Sequence, residues 1–131
     1  MLEALAARLV PGQVRFLGHR ADVPQRMARA AMVLASCKVE GLGLSVVEAM
    51  ALGVPVVAAA AGGHLETVGG VADAALFAPD DEHEAGGLLR ELAADPQRRA
   101  DYGARLREYQ RAEFALPEQA SRTEKVYRSL L

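Results

Sequence analysis

Residues 40–58 read EGLGLSVVEAMALGVPVVA, and this stretch determines more of the expected fold than any other part of the chain. A glycine-containing turn follows an apolar run at 31–35, a helix is expected from about Ser45 to Leu52, and Gly53 leads into a second apolar run at 54–58. Glycine commonly ends helices, and short apolar runs between turns are typical of strands buried on both faces. The stretch therefore predicts a strand–helix–strand unit.

Strands and helices continue to alternate on both sides of this stretch. Upstream, we expect a helix over 2–9, a strand over 14–17, and a helix that Asp22 can cap and that runs to about Ala30. Downstream, a glycine turn precedes a short helix near 65–68 and a strand over 75–77. This alternation predicts an α/β protein with a doubly wound, Rossmann-like parallel sheet, whose ligands bind at the carboxyl ends of the strands.

The C-terminal part of the chain is expected to be helical. Asp81 and Glu84 fit a capping box for one helix, and Asp95 followed by proline fits the start of the next. A last helix from about Pro117 would carry one apolar stripe, formed by Ala120, Thr123, Tyr127 and Leu130.

Bulk properties limit the possible functions. The 131 residues suggest one domain, 51% hydrophobic residues can form a core, and a net charge of −2 argues against a general nucleic-acid binder. The one cysteine, Cys37, fits a reducing compartment. Since no apolar run approaches a membrane span, we expect a cytoplasmic protein, with peripheral contact at the inner membrane face left open.

Two carboxylates flank the start of the central helix. Glu40 lies just before the turn and Glu48 lies one turn inside the helix, whose N-terminus offers free amides to an anion. Carboxylates accept hydrogen bonds from hydroxyl groups, so the pattern suits a ligand with both a polyol and a phosphate. Two other interpretations remain open: Ser45 and Glu48 also fit a capping box, and Glu40 could be a solvated loop acid.

Neighbouring polar residues have less specific interpretations. His19 and His64 fit surface or structural roles, although His64 follows a glycine pair and could touch a ligand. Lys38 is expected in solvent, Cys37 as a small packing residue, and Glu66 as a cap for the glycine turn. The sequence has no cluster of histidines and cysteines for a metal, no G-x-S-x-G elbow and no G-x-G-x-x-G after the first strand.

The spacing of the two glutamates, with seven residues between them, is accompanied upstream by Phe16-Leu17-Gly18 and downstream by Gly62-Gly63-His64-Leu65-Glu66. Together these motifs resemble the Glu-x7-Glu signature of retaining GT-B glycosyltransferases of group 1, the family 4-like class, in their C-terminal donor-binding domain. The resemblance implies a hexosyltransferase that uses a UDP-, GDP- or ADP-sugar, retains configuration, acts on a glycan or lipid acceptor, and needs no metal or other cofactor.

The resemblance also implies a role for each residue of the motif. Glu40 would be the catalytic residue and hold the transferred sugar, and Glu48 would hold the ribose. The remaining donor-binding residues would let the backbone approach the ligand, contact sugar and phosphate through amides, or line the opposite wall: Gly41, Leu42, Gly43, Leu44, Ser45, Gly62 and Gly63. The family often has an aromatic residue where Leu42 stands.

By the same resemblance, residues 1–131 form a single partial nucleotide-sugar-binding domain. It would lack the first strands of that domain, which carry cations for the diphosphate, and the whole acceptor domain. Arg15, Arg20 or a partner would then supply the charge. The sheet edge at 32–35 would be open, so we expect pairing with another polypeptide, a homo-oligomer or strand-swapped dimer, or direct repacking of 14–17 on this edge. The alternative function is a non-catalytic or partner-dependent binding module.

Overall fold

Three parallel strands in the order β1-β2-β3 form the sheet of the computed structural model, which describes residues 1–130. They are β1 (Val33–Ala35), β2 (Val56–Ala59) and β3 (Leu76–Phe77). Val33 pairs with Val56, and Ala58 pairs with Leu76. The predicted α/β class with a parallel sheet is confirmed.

Residues 1–130 also form six α-helices. They are α1 (Leu2–Leu9), α2 (Val23–Met27), α3 (Leu44–Ala51), α4 (Glu82–Ala94), α5 (Pro96–Glu113) and α6 (Leu116–Ser129). Instead of the helix expected near 65–68, two short 3-10 helices occur at Gly62–His64 and Val68–Gly70. Within the described residues, no helix combines the length and the apolar character needed to cross a bilayer.

The core is built on both faces of β2. All four of its residues are buried, and because successive strand residues point to opposite faces, both faces are covered. Helix α3 packs against β1, β2 and α5, while α4 packs against β2, β3 and α5. The largest fully buried side chains outside the strands include Met50, Tyr102 and Leu106.

The expected strand over 14–17 is not formed. Residues 14–17 have no regular structure, and Val14, Phe16 and Leu17 each leave more than two fifths of their surface exposed. A strand is held by hydrogen bonds to a neighbour, and the described residues pair β1 only with β2. Direct repacking of 14–17 on β1 is therefore the wrong alternative, and Leu34 of β1, expected to be buried, is 49% exposed.

Of the caps expected for α2 and α4, the first does not form and the second forms in part. Helix α2 begins after Asp22 but ends at Met27, and the Asp22 carboxylate binds Arg20 and Arg26 instead of capping the helix. In α4, Asp81 accepts a hydrogen bond from the Glu84 N–H at 2.8 Å, as predicted. The Glu84 carboxylate, however, accepts from the Ala78 N–H at 2.6 Å instead of closing the capping box.

The starts of α5 and α6 agree with the expectations from the sequence. Asp95 caps α5 by accepting from the Arg98 N–H at 2.9 Å, and a proline occupies its first turn. Helix α6 buries none of its residues, and Val126 and Tyr127 on its apolar side are 60% and 68% exposed. Thus no part of residues 1–130 covers the apolar stripe predicted for this helix.

Candidate functional site

The turn after β1 and the turn after β2 lie directly against each other. In a parallel sheet the carboxyl ends of neighbouring strands meet at one edge, and here the Gly63 N–H donates a hydrogen bond of 3.0 Å to the Glu40 carbonyl. The two glycine-containing segments predicted to share a cleft are therefore joined through their backbones.

Close contact between these turns requires glycine at 62 and 63. A Cβ on Gly63 would overlap the Gly41 carbonyl oxygen and lie 2.9 Å from the Leu42 Cα. A Cβ on Gly62, whose φ is 53°, would overlap the Glu40 carbonyl oxygen. Both obstacles are backbone atoms that cannot rotate away, so a side chain at either position would push the turns apart.

Helix α3 starts at this junction with free N–H groups. Gly43 is its N-cap, in the left-handed region at φ 78°, and no side chain caps the helix. The first backbone hydrogen bonds run from Val46 and Val47 to the Gly43 carbonyl, at 2.9 and 3.0 Å. The N–H groups of Leu44 and Ser45 precede those bonds and have no partner within the helix.

The capping-box interpretation of Ser45 and Glu48 is wrong. Because α3 begins at Leu44, one residue earlier than expected, Ser45 already lies inside the helix and its hydroxyl caps nothing. Glu48 lies one turn further along, on the same side as Leu44, and is exposed. The opposite side of α3 is the buried one, formed by Val46, Ala49 and Met50.

Glu40 is half-buried rather than fully solvated. One of its carboxylate oxygens, Oε1, accepts a hydrogen bond of 3.1 Å from the Gly41 N–H. Its Cγ lies 3.4 Å from the point that a Cβ on Gly43 would occupy, so the side chain packs along the helix start. The sequence-predicted acceptor Glu40, the free amides and the glycine pair are thus brought together.

His64 is buried, which fits the structural role that was one of its expected interpretations, but its hydrogen-bond partner was not predicted. Its side chain is 1% exposed, and its Nδ1 lies 3.0 Å from the carbonyl oxygen of Ala59, the last residue of β2. Thr67 is also buried, and its hydroxyl donates to the Gly63 carbonyl at 2.9 Å. The only sequence signal for either residue is its position just after the glycine pair.

Other residues near the strand ends have ordinary partners. Lys38 is exposed, as predicted, and its ammonium group binds the Asp80 carboxylate at 2.6 Å. Cys37 is exposed and donates to the Val39 carbonyl at 3.3 Å, so its expected packing role is wrong. The Glu66 carbonyl, rather than its carboxylate, makes a hydrogen bond, which it accepts from the Tyr109 hydroxyl at 3.2 Å.

Arg20, one of the two arginines considered as a cation for the site, is already paired. Its Nε lies 2.8 Å from the Asp22 carboxylate. This hydrogen bond raises the pKa of Arg20 and lowers the pKa of Asp22 from their ordinary values. Arg15 lies in the exposed, irregular segment before α2.

Comparison with known proteins identifies relatives of this arrangement. The family model described as "Glycosyl transferases group 1" matches residues 1–109. A lipopolysaccharide core biosynthesis mannosyltransferase, LpcC, of Rhizobium leguminosarum bv. viciae is 36% identical over 91% of this chain, which spans 34% of that protein. A GDP-mannose-dependent monoacylated alpha-(1-6)-phosphatidylinositol monomannoside mannosyltransferase of Corynebacterium glutamicum is 44% identical over 59% of this chain and 20% of its own length.

Comparison with solved structures also identifies relatives of this chain. The crystal structure of Anabaena Alr3699/HepE in complex with UDP superposes with a TM-score of 0.90 at 31% identity, over 98% of this chain and 36% of HepE. The HepE complex with UDP-glucose gives a TM-score of 0.87 at 32% identity, with the same coverage. The chain thus spans about a third of the length of the first relatives it matches.

Proposed function

Because this chain belongs to the group 1 glycosyltransferases, we propose that it forms the donor-binding part of an enzyme that transfers a hexose from a nucleoside diphosphate sugar. The observation that carries the proposal is the junction of the Glu40 turn, the Gly62–Gly63 turn and the free N–H groups of α3. The chain spans about a third of the length of its relatives, so the transfer reaction of the complete enzyme is itself proposed for it.

The donor is proposed from the chemistry of the junction and from the relatives. HepE structures contain UDP and UDP-glucose, and the Corynebacterium relative is named as GDP-mannose-dependent. The diphosphate would lie at the N-terminus of α3, where the amides of residues 42–45 and the helix dipole favour negative charge. The candidate donors are therefore UDP-, GDP- and ADP-sugars.

The two carboxylates would bind hydroxyl groups on either side of the diphosphate. Glu48, exposed one turn inside α3, would accept from the ribose hydroxyls. Glu40, whose carboxylate uses one oxygen for the Gly41 N–H, would contact the transferred hexose as the catalytic residue. We propose transfer with retention, without a metal or other cofactor, onto a glycan or lipid acceptor.

The balance of charge at the junction favours an activity that depends on a partner. A diphosphate beside two carboxylates needs cations. Of the two candidate arginines, Arg20 is paired with an aspartate and Arg15 lies in the exposed segment before α2, and Lys38 after β1 is also paired with an aspartate. The unpaired outer side of β1 and the exposed apolar residues of 14–17 support pairing with another polypeptide, either a different chain or a second copy in a strand-swapped dimer. Analytical ultracentrifugation across a concentration series tests the second copy: a monomer at every concentration would rule it out.

The alternative is a binding module that does not catalyse transfer. The same open edge supports it, because a chain that keeps the glycine junction, but whose β1 pairs with β2 alone within residues 1–130, can retain the scaffold without the reaction. The two functions differ in what the chain binds by itself and in whether a partner chain enables it to transfer a sugar.

Calorimetric titration with UDP, GDP and ADP, followed by the matching sugar donors, tests the donor site. We expect saturable binding by one base class, weakened about 10- to 100-fold in Glu48→Ala, since a hydrogen bond to a charged group contributes about 1.5–3 kcal/mol. Glu108→Ala, which removes an exposed glutamate from α5, is the matched control and should bind as the wild type does.

The carboxylate assigned to the sugar can be separated from the one assigned to the ribose. Glu40→Ala should weaken binding of the sugar donor more than binding of the bare nucleoside diphosphate, whereas Glu48→Ala should weaken both equally. Absence of binding at millimolar nucleotide in the folded wild-type chain would contradict an autonomous donor site and leave the partner-dependent module. Equal losses with both ligands in Glu40→Ala would contradict its contact with the hexose.

A further inference from the structure

His64 connects the end of β2 to the start of α3, and its proton can be assigned. A carbonyl oxygen only accepts hydrogen bonds, so the contact of 3.0 Å between His64 Nδ1 and the Ala59 carbonyl requires the hydrogen to be on Nδ1. Ala59 ends a strand whose four residues are all buried. The ring is therefore attached to the most enclosed part of the sheet.

The other edge of the ring lies under the turn that precedes α3. A Cβ on Gly43 would lie 3.4 Å from Cδ2 of His64 and 3.6 Å from its Nε2. The same point lies 3.4 Å from the Glu40 Cγ. The imidazole and the Glu40 side chain thus both lie within contact distance of the position that a Cβ on Gly43 would occupy.

We propose that His64 is a positioning residue of the donor site, which holds the Gly43 turn through a ring fixed by its hydrogen bond to Ala59. This inference rests on the proposed function, because the groups it positions are the Glu40 carboxylate and the N–H groups of Leu44 and Ser45. A rotation of the ring would shift Gly43, and the two free N–H groups follow directly in the chain.

The role requires both a donor at Nδ1 and a flat ring beneath Gly43. Phenylalanine keeps a ring but cannot donate, so the ring would lose the hydrogen bond that fixes its orientation, and the buried Ala59 carbonyl would keep only its bond of 2.8 Å from the Ala61 N–H. Asparagine keeps a donor close to the position of Nδ1 but leaves space below Gly43. His64→Phe is therefore expected to disturb the turn more than His64→Asn does.

The first test needs no ligand. In a ¹⁵N-labelled chain, long-range ¹H–¹⁵N correlation of the histidine rings should show His64 protonated on Nδ1, with the exposed His19 and His83 as internal references. An unprotonated Nδ1 would overturn the proposal. Because this measurement uses the wild-type chain, it can refute the proposal even if either substitution prevents folding.

The second test follows the groups that His64 is proposed to position. His64→Phe should shift the backbone amide resonances of Leu44 and Ser45 and weaken nucleoside diphosphate binding about tenfold, with about a two- to threefold loss in His64→Asn. His83→Asn, on the exposed first turn of α4, is the control and should change neither.

The outcomes separate this inference from the proposed function. Unchanged Leu44 and Ser45 resonances in a folded His64→Phe chain would overturn the positioning role, whatever the nucleotide does. Displaced resonances in a chain whose wild type binds no nucleotide would support the positioning role while contradicting an autonomous donor site.

Discussion

Replacing Tyr102 with phenylalanine removes one oxygen atom that links two neighbouring strands. The Tyr102 hydroxyl donates to the Val56 carbonyl at 2.8 Å and accepts from the Ala75 N–H at 3.1 Å. The Ala58 N–H donates directly to the Ala75 carbonyl, so the hydroxyl is inserted where the next bond of the β2–β3 ladder would form. Tyr102→Phe keeps the buried ring and deletes only this link.

The expected loss of stability follows from the burial of the two groups left without a partner. A buried unpaired backbone group costs about 1–3 kcal/mol. Val56 is fully buried, whereas Ala75 is 6% exposed and lines a cavity of about 730 Å³. We therefore expect Tyr102→Phe to lower the free energy of unfolding by about 2–3 kcal/mol, most of it from Val56.

Urea denaturation followed by circular dichroism measures this difference. Tyr109→Phe is the matched control, because it deletes a hydroxyl with one exposed hydrogen bond of 3.2 Å and should cost less than about 1 kcal/mol. Equal losses in Tyr102→Phe and Tyr109→Phe would refute the reasoning that burial of the bridged groups sets the magnitude.

The same variant has a defined pH dependence. Burial raises the pKa of Tyr102 above its ordinary value, partly offset by the Ala75 N–H and the nearby Arg105. The unfolded chain therefore loses this proton first as pH rises above about 10, and wild-type stability falls between there and the raised pKa. Because Tyr102→Phe lacks that decline, its stability deficit should shrink above about pH 10; a constant deficit would contradict the assignment.

Further substitutions test the junction and the helices. Gly63→Ala should separate the turns at Gly41, lower the free energy of unfolding and weaken nucleotide binding at least about tenfold by calorimetry. By contrast, Gly87→Ala should stabilise α4 by about 0.5–1 kcal/mol in urea, because the added Cβ would meet open space. Asp81→Ala should cost about 1 kcal/mol by loss of the α4 cap, and Asp81→Asn should restore most of it in the same urea assay. Nucleotide binding measured with EDTA should match binding measured with magnesium; a strong dependence on magnesium would contradict the proposed metal-free site.

The local sequence pattern predicts secondary structure correctly where a segment does not depend on a distant partner. Helix α1 occupies the expected residues, and β2 was identifiable because a short apolar run between turns must be buried on both faces. The glutamate spacing and the glycine pair were likewise readable, since they are fixed along the chain. These features suffice for the α/β class and for the resemblance to a glycosyltransferase.

Tertiary structure decided what depends on distant neighbours. Residues 14–17 have the composition of a strand but no strand beside them, and a strand forms only through hydrogen bonds to a neighbour. Glu48 does not cap α3, because Gly43 is the N-cap and takes a left-handed conformation against His64 and Glu40. The burial of His64 and its proton on Nδ1 depend on the Ala59 carbonyl, which only folding brings to the ring. Sequence sets the periodicity and chemistry of each segment, while hydrogen-bond partners and burial are properties of the assembled chain.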